Sequence, residues 1–146
     1  SEQIQSISFS PDGQKITFLK IENNQSGIYV SQSNGQNLQQ LSIDEFEYSA
    51  PEWSADSKYL YYSTNRSGKW NIWQYDVVEK TETQITFQGG KVAHPHPSLS
   101  NHLLFIKENA DTIWQFSLVD QKESIVCEAN CLEALRWIPT NEGIYY

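Results

Sequence analysis

All three histidines of the chain fall within the twelve residues "KVAHPHPSLSNH" at 91–102, as His94, His96 and His102. Imidazole is a common metal ligand and also the side chain whose ordinary pKa lies nearest neutrality, so the cluster raises two chemistries, metal binding and proton sensing. A zinc centre needs three or four convergent ligands held by oriented partners. Here the three imidazoles come from two neighbouring extended segments with no cysteine beside them. We therefore expect packing roles, with metal ligation or pH sensing as the alternative. Pro95 and Pro97 alternate with the histidines, fix φ and remove two backbone donors, which favours an extended course. Thiol chemistry is confined to "CEANC", Cys127 and Cys131. Two thiolates are too few for a structural zinc site; the short loop either closes as a disulfide in an oxidising compartment or leaves two free thiols in a turn.

Other reactive constellations are missing from the sequence: it has no Gly-x-Ser-x-Gly elbow, no phosphate-cradling glycine loop and no His-Glu-x-x-His. Its many serines lie in turns and strand ends, where hydroxyls bond the local backbone. We expect no catalytic residue and no cofactor. Asp12 and Asp56 stand at equivalent turns and are expected to cap them through Asx bonds. The richest aromatic stretch, "YLYYSTNRSGKWNIWQYD", offers Tyr59, Tyr61, Trp70, Trp73 and Tyr75 as a candidate interaction surface. Strand alternation sets Tyr59 and Tyr61 opposite Leu60 and Tyr62, so one face packs while the other is available to dock a partner; ordinary packing on both faces is the alternative.

With 146 residues, 38% hydrophobic and 13% aromatic, the chain can build one domain-sized core. Ten basic residues scattered singly against 18 acidic ones give a net charge of −8, which argues against a nucleic-acid face and against attraction to anionic lipid. No apolar run reaches the length of about 18 residues needed for a membrane span, and "SEQIQSISFS" lacks the segments of a signal peptide. Methionine is absent and "EGIYY" reads as an interrupted strand, so we take the chain as part of a longer protein.

The elements that must position these residues are repeated. Ile16 and Phe18 recur as Leu60 and Tyr62, Leu103 and Phe105, then Ile144 and Tyr146, at offsets of 44, 43 and 41. A second column runs through Ile28, Ile72 and Ile113, a third through Leu41, Ile85 and Ile125, and a fourth through Phe9, Trp53, His96 and Trp137. His96 thus stands in an aromatic packing column, and His94 on the position of Pro51. Each unit holds four short segments rich in β-branched and aromatic residues, with no helical stripe. Strands are expected near 4–10, 15–22, 27–33 and 37–43, then 49–54, 59–65, 70–77 and 81–87, then 92–97, 102–108, 112–119 and 122–127. Asn34-Gly35 is expected to turn a hairpin with positive φ at both residues. Four antiparallel strands recurring at this period predict an all-β partial propeller: blade 1 over about 4–43, blade 2 over 49–87, blade 3 over 92–127 and an incomplete blade 4 over 133–146.

"SFSPDGQKITFLK", with Ser10-Pro11-Asp12-Gly13 ahead of an apolar strand, followed by "GIYV" and "NLQQLS", resembles the TolB-like propeller repeat. Unit 2 keeps Pro51, Trp53, Ser54, Asp56 and the Ile85-Thr86 close; unit 3 lacks the Asp-Gly turn. The resemblance implies a non-enzymatic protein-binding or signal-sensing module in the bacterial periplasm, with a protein partner. The Trp-Ile-Pro and Gly-Ile-Tyr-Tyr pattern at 137–146 and the cysteine pair are similar to the propellers of CadC-like membrane-anchored winged-helix transcriptional regulators. The alternatives it implies are a TolB-type periplasmic adaptor and the substrate-gating propeller of a prolyl oligopeptidase-type hydrolase. Three blades and a fraction cannot close a ring, so we also expect self-association through open blade faces.

Overall fold

The computed structural model describes residues 2–42, 44–95, 99–107, 112–128, 138–140 and 143–145. Every regular element among them is a β-strand. The first sheet joins β1 (Glu2–Phe9), β2 (Lys15–Glu22), β3 (Gln25–Gln32) and β4 (Gln39–Gln40) in sequence order. The second joins β5 (Glu52–Trp53), β6 (Tyr59–Thr64), β7 (Asn71–Asp76) and β8 (Thr81–Gln84), and the third β9 (Lys91–Pro95), β10 (His102–Ile106), β11 (Thr112–Ser117) and β12 (Lys122–Glu128). All pairings are antiparallel. A short hairpin follows, β13 (Ile138–Thr140) against β14 (Gly143–Tyr145). Of the incomplete blade 4 expected over 133–146, residues 133–137, 141–142 and 146 lie outside the described residues. The all-β blade architecture is thus as the periodicity predicts.

The blades stack because each strand presents alternate side chains to opposite neighbours. Leu19, Ile28 and Val30 of blade 1 meet Trp53, Leu60, Tyr62 and Tyr75 of blade 2 in one cluster. On the other side of blade 2, Tyr61, Ile72 and Ile85 meet Ala93, Leu103, Phe105 and Phe116 of blade 3 in a second. The repeat columns are therefore inter-blade columns. Leu60 and Leu103 are fully buried at 0% because a blade precedes each. Blade 1 has no such neighbour among the described residues, and Phe9 is 62% exposed where its counterpart Trp53 is 6%. Ile4 is likewise 57% exposed on the strand that carries Phe9.

The turns obey the same repetition. Ser10 Oγ donates to Asp12 Oδ1 at 2.6 Å and accepts from Lys15 N at 2.9 Å, while Asp12 Oδ1 accepts from Gln14 N at 3.0 Å. One repeat later Ser54 donates to Asp56 at 2.6 Å and accepts from Tyr59 N at 2.8 Å, with Asp56 accepting from Lys58 N at 3.1 Å. Each Asp caps its own turn, and the amide of Asp12 also reaches Ser57 Oγ at 3.0 Å, tying the two blades together at their turns. The Asn34-Gly35 hairpin differs from expectation. Gln32 N bonds Gln36 O at 2.9 Å, which makes a three-residue loop with positive φ at Gly35 (83°) rather than at both residues. Two expected strands shrink to two residues each, β4 and β5. In β5 the cause is Pro51, which has no amide to donate to the ladder.

Candidate functional site

The predicted site residues are distributed over both seams of blade 2. Tyr61 (3% exposed) and the half-buried Tyr59 lie on the blade 3 side, whereas Tyr75 (6%) and the half-buried Trp73 lie on the blade 1 side. Trp70 is half-buried beneath the Lys91 ammonium, 4.3 Å from its ring centre. The five aromatics therefore do not form one docking face. Blade 2 is sandwiched, so both of its faces meet a neighbouring blade, and the Tyr59 and Tyr61 face meets blade 3.

His94 sits in β9, opposite Leu104 of β10, and its Nδ1 lies 3.6 Å from Glu52 Oε1 of blade 2. Burial depresses the His94 pKa and raises that of Glu52. Both shifts favour the neutral forms, so this contact across the seam is not a strong ion pair. His102 stands in β10 with Nδ1 3.2 Å from the Ser100 carbonyl, and His96 lies outside the described residues. No group of three metal-ligating side chains occurs among the described residues. Cys127, opposite Ile113, takes part in a disulfide; Cys131 lies outside the described residues.

A further constellation was not anticipated. The Arg66 guanidinium lies 3.6 Å over the Trp73 ring and bonds Glu82 at 2.7 Å, and the Tyr62 hydroxyl donates to the same carboxylate. In the next blade Lys107 lies 3.8 Å over Trp114 and 2.5 Å from Glu123. All three members recur at the same offset of 41, a periodicity of charged residues that the apolar columns concealed. Burial works against the Arg66 charge, but Glu82 more than compensates and its pKa rises. Burial, reinforced by Glu82, drives the Tyr62 pKa up, so the hydroxyl remains a donor. The cluster locks a cation, a ring and a carboxylate on the face that each blade turns to its predecessor.

Between blades 2 and 3 the seam opens into a cleft of about 890 Å³. Its wall includes Tyr59, Tyr61, Gln74, Thr83, Leu103 and Phe116. On its wall the Ser54 hydroxyl donates to Asp56 at 2.6 Å, the turn bond described above. The cleft's polar groups are amides and hydroxyls together with the carboxylates of Asp56 and Glu123 and the His102 imidazole.

Fold and repeat together define a segment of a propeller whose first two blades carry Ser-x-Asp turns. Residues 2–146 match the TolB beta propeller domain, and the chain belongs to that family. It is 28% identical over 104 residues to the uncharacterized protein Atu1656 of Agrobacterium fabrum, a match covering 70% of this chain and 36% of that protein. Among solved structures it resembles a TolB-type structure from Agrobacterium tumefaciens, with 21% identity, a TM-score of 0.73, and coverage of 87% of this chain and 49% of the other. It also resembles TolB from Acinetobacter baumannii at 17% identity and TM-score 0.72, over 85% and 32% of the two chains. A puromycin-hydrolyzing peptidase of Mycobacterium tuberculosis follows at 15% and 0.69, over 85% and 22%. The chain thus spans well under two thirds of each of these proteins, and the structural likenesses concern the fold.

Proposed function

We propose that the chain is a non-enzymatic protein-interaction segment of a TolB-type propeller, acting in the bacterial periplasm. The observation that supports an interaction role is the near face of blade 1. Its apolar Ile4 and Phe9 are 57% and 62% exposed, while Trp53, the blade 2 counterpart of Phe9, is 6% exposed. Such a face calls for a covering surface, either a further blade of a longer chain or another protein. The finer reading is that the segment belongs to the sensing region of a membrane-anchored, winged-helix transcriptional regulator. It rests on the resemblance of residues 137–146 and on the disulfide that Cys127 forms, a bond suited to an oxidising compartment. A TolB-type adaptor is the other protein-binding reading. The substrate-gating propeller of a prolyl peptidase is favoured instead by the likeness to the puromycin-hydrolyzing peptidase.

The gene that encodes the chain tests these readings. A winged helix and a membrane span encoded upstream are expected; a Gly-x-Ser-x-Gly domain encoded downstream would replace the regulator reading by the peptidase one. Light scattering tests the open face. The chain is expected to self-associate at micromolar concentration, above its monomer mass of 16.8 kDa, and Phe9→Glu is expected to return it to monomer. A stable monomer of the parent chain would count against an uncovered blade 1 face.

A further inference from the structure

Asn34 is followed by Gly35, and no other asparagine in the chain precedes a glycine. Such a pair can react with itself. A deprotonated backbone nitrogen that attacks the preceding side-chain amide closes a five-membered ring, and a Cβ on the attacking residue crowds the approach, so glycine suits the position. Residues 32–40 are all exposed, and a methyl built on Gly35 would meet nothing within 4 Å, so this tip has room for the ring.

The folded turn assists the reaction. Asn34 Oδ1 accepts a hydrogen bond from Gln36 N at 3.0 Å. Attack on Cγ converts that oxygen to an oxyanion, and a backbone N–H already directed at it stabilises the charge as it develops. The nucleophile, Gly35 N, donates to the Gln32 carbonyl at 2.8 Å, so that bond must open first. It lies at an exposed tip ahead of a strand of only two residues, β4, where local opening is easy. Two other asparagines also accept a backbone N–H on Oδ1, Asn65 from Glu47 and Asn71 from Gly89, each at 3.1 Å. They precede Arg66 and the β-branched Ile72, so the activated carbonyl faces a crowded nucleophile. Only at Asn34 do the two requirements coincide among the described residues.

We propose that Asn34-Gly35 is a site of spontaneous covalent modification, at which the native hairpin converts its own asparagine to aspartate and isoaspartate. Gly35 N loses its proton to hydroxide and bonds Asn34 Cγ; the Cγ–Nδ2 bond breaks and ammonia leaves. Water then opens the ring. Cleavage between Gly35 N and Cγ gives aspartate. Cleavage between Gly35 N and the Asn34 carbonyl carbon gives isoaspartate, whose backbone runs through the former side chain and is one atom longer. The net reaction takes up one water and releases one ammonia.

Both products add a negative charge, but they differ in shape. Aspartate still offers an acceptor to Gln36 N, whereas the added atom of isoaspartate disrupts the three-residue loop closed by Gln32 N and Gln36 O. β4 depends on that loop, and so does Leu41, whose amide donates to Ile28 O at 2.8 Å and whose side chain packs on the core between blades 1 and 2. Slow chemistry at a surface tip is thereby coupled to the outer edge of the first seam. The inference is independent of the interaction role above.

The test is peptide mapping by mass spectrometry of the folded chain held at mildly alkaline pH, with isoaspartate read by methyl transfer from S-adenosylmethionine by an isoaspartyl methyltransferase. Asn34 is expected to convert about tenfold or more faster than any other described asparagine, and faster still as pH rises, because the nucleophile is a deprotonated amide. Asn34→Gln, which cannot close the five-membered ring, should keep its mass and leave methyl acceptance at background. Amide hydrogen exchange at Gln32 and Leu41 should quicken in the isoaspartate fraction, while Asn34→Asp should exchange as the parent does. Conversion in urea with none in the folded chain overturns the proposal, as does conversion spread evenly over the asparagines. An isoaspartate fraction whose Leu41 exchange matches that of the parent overturns the coupling to the seam.

Discussion

Phe9 and Trp53 occupy one column of the repeat, and a comparison of their alanine variants measures what a preceding blade contributes. Trp53 is 6% exposed, packs between blades 1 and 2, and donates from Nε1 to the Ser8 carbonyl at 3.3 Å. Removing a buried aromatic side chain costs about 3–5 kcal/mol. Phe9 is 62% exposed, so Phe9→Ala removes little buried area and should fall within about 0.5 kcal/mol of the parent, as surface substitutions do. Two positions equivalent in sequence should thus differ by about 3 kcal/mol or more. That is a large share of a typical domain stability of about 5–15 kcal/mol, so Trp53→Ala should be close to unfolding. Urea denaturation read by far-ultraviolet circular dichroism gives both values, provided the protein is dilute enough to be monomeric by light scattering. Equal losses for the two variants, or a Phe9→Ala loss above about 2 kcal/mol under monomeric conditions, would mean that the blade 1 face is covered and would refute the reasoning.

Three further outcomes follow from the seams. Arg66→Gln removes the cation over Trp73 and the partner of Glu82, and should lower stability in urea by about 1–2 kcal/mol; no loss would show the cluster to be decorative. Gly90→Ala places a methyl 2.9 Å from Ile72 Cγ1 and Thr86 Oγ1, and should cost about 1–3 kcal/mol by overpacking, visible as a lower thermal midpoint. His94 tests the pH dependence. Burial holds its folded pKa below the ordinary 6.5, so its contribution is full above that pH and is lost as pH falls below it. Glu52 has the opposite sign: its raised pKa makes stability fall as pH rises from 4.5 through the folded value. Between about pH 7.5 and 5.5 the parent should therefore lose thermal midpoint relative to His94→Gln, which retains Glu52 but has no imidazole; parallel midpoints would contradict this.

The periodic columns of Leu, Ile, Phe and Tyr were enough to read the strands, their antiparallel grouping in fours and the alternation of faces, because each is a local property. Whether residue 60 points one way and 61 the other depends only on the strand pleat. The Asx caps at Asp12 and Asp56 were equally legible, since the bonded amides lie two residues away. The end of the Asn34-Gly35 hairpin was not, because loop length depends on where the two strands stop pairing.

What the residues could not state by themselves is which face is covered and by what. Ile16 and Leu60 hold the same place in the repeat, but among the described residues only Leu60 has a preceding blade against it, and it is buried completely. The depressed pKa of His94 arises from desolvation at a seam, and the cluster of Arg66, Trp73 and Glu82 from three strands meeting on one face. Burial and convergence belong to pairs of residues distant along the chain. Local pattern specifies the blades, and their stacking alone decides which side chains are buried, charged or available.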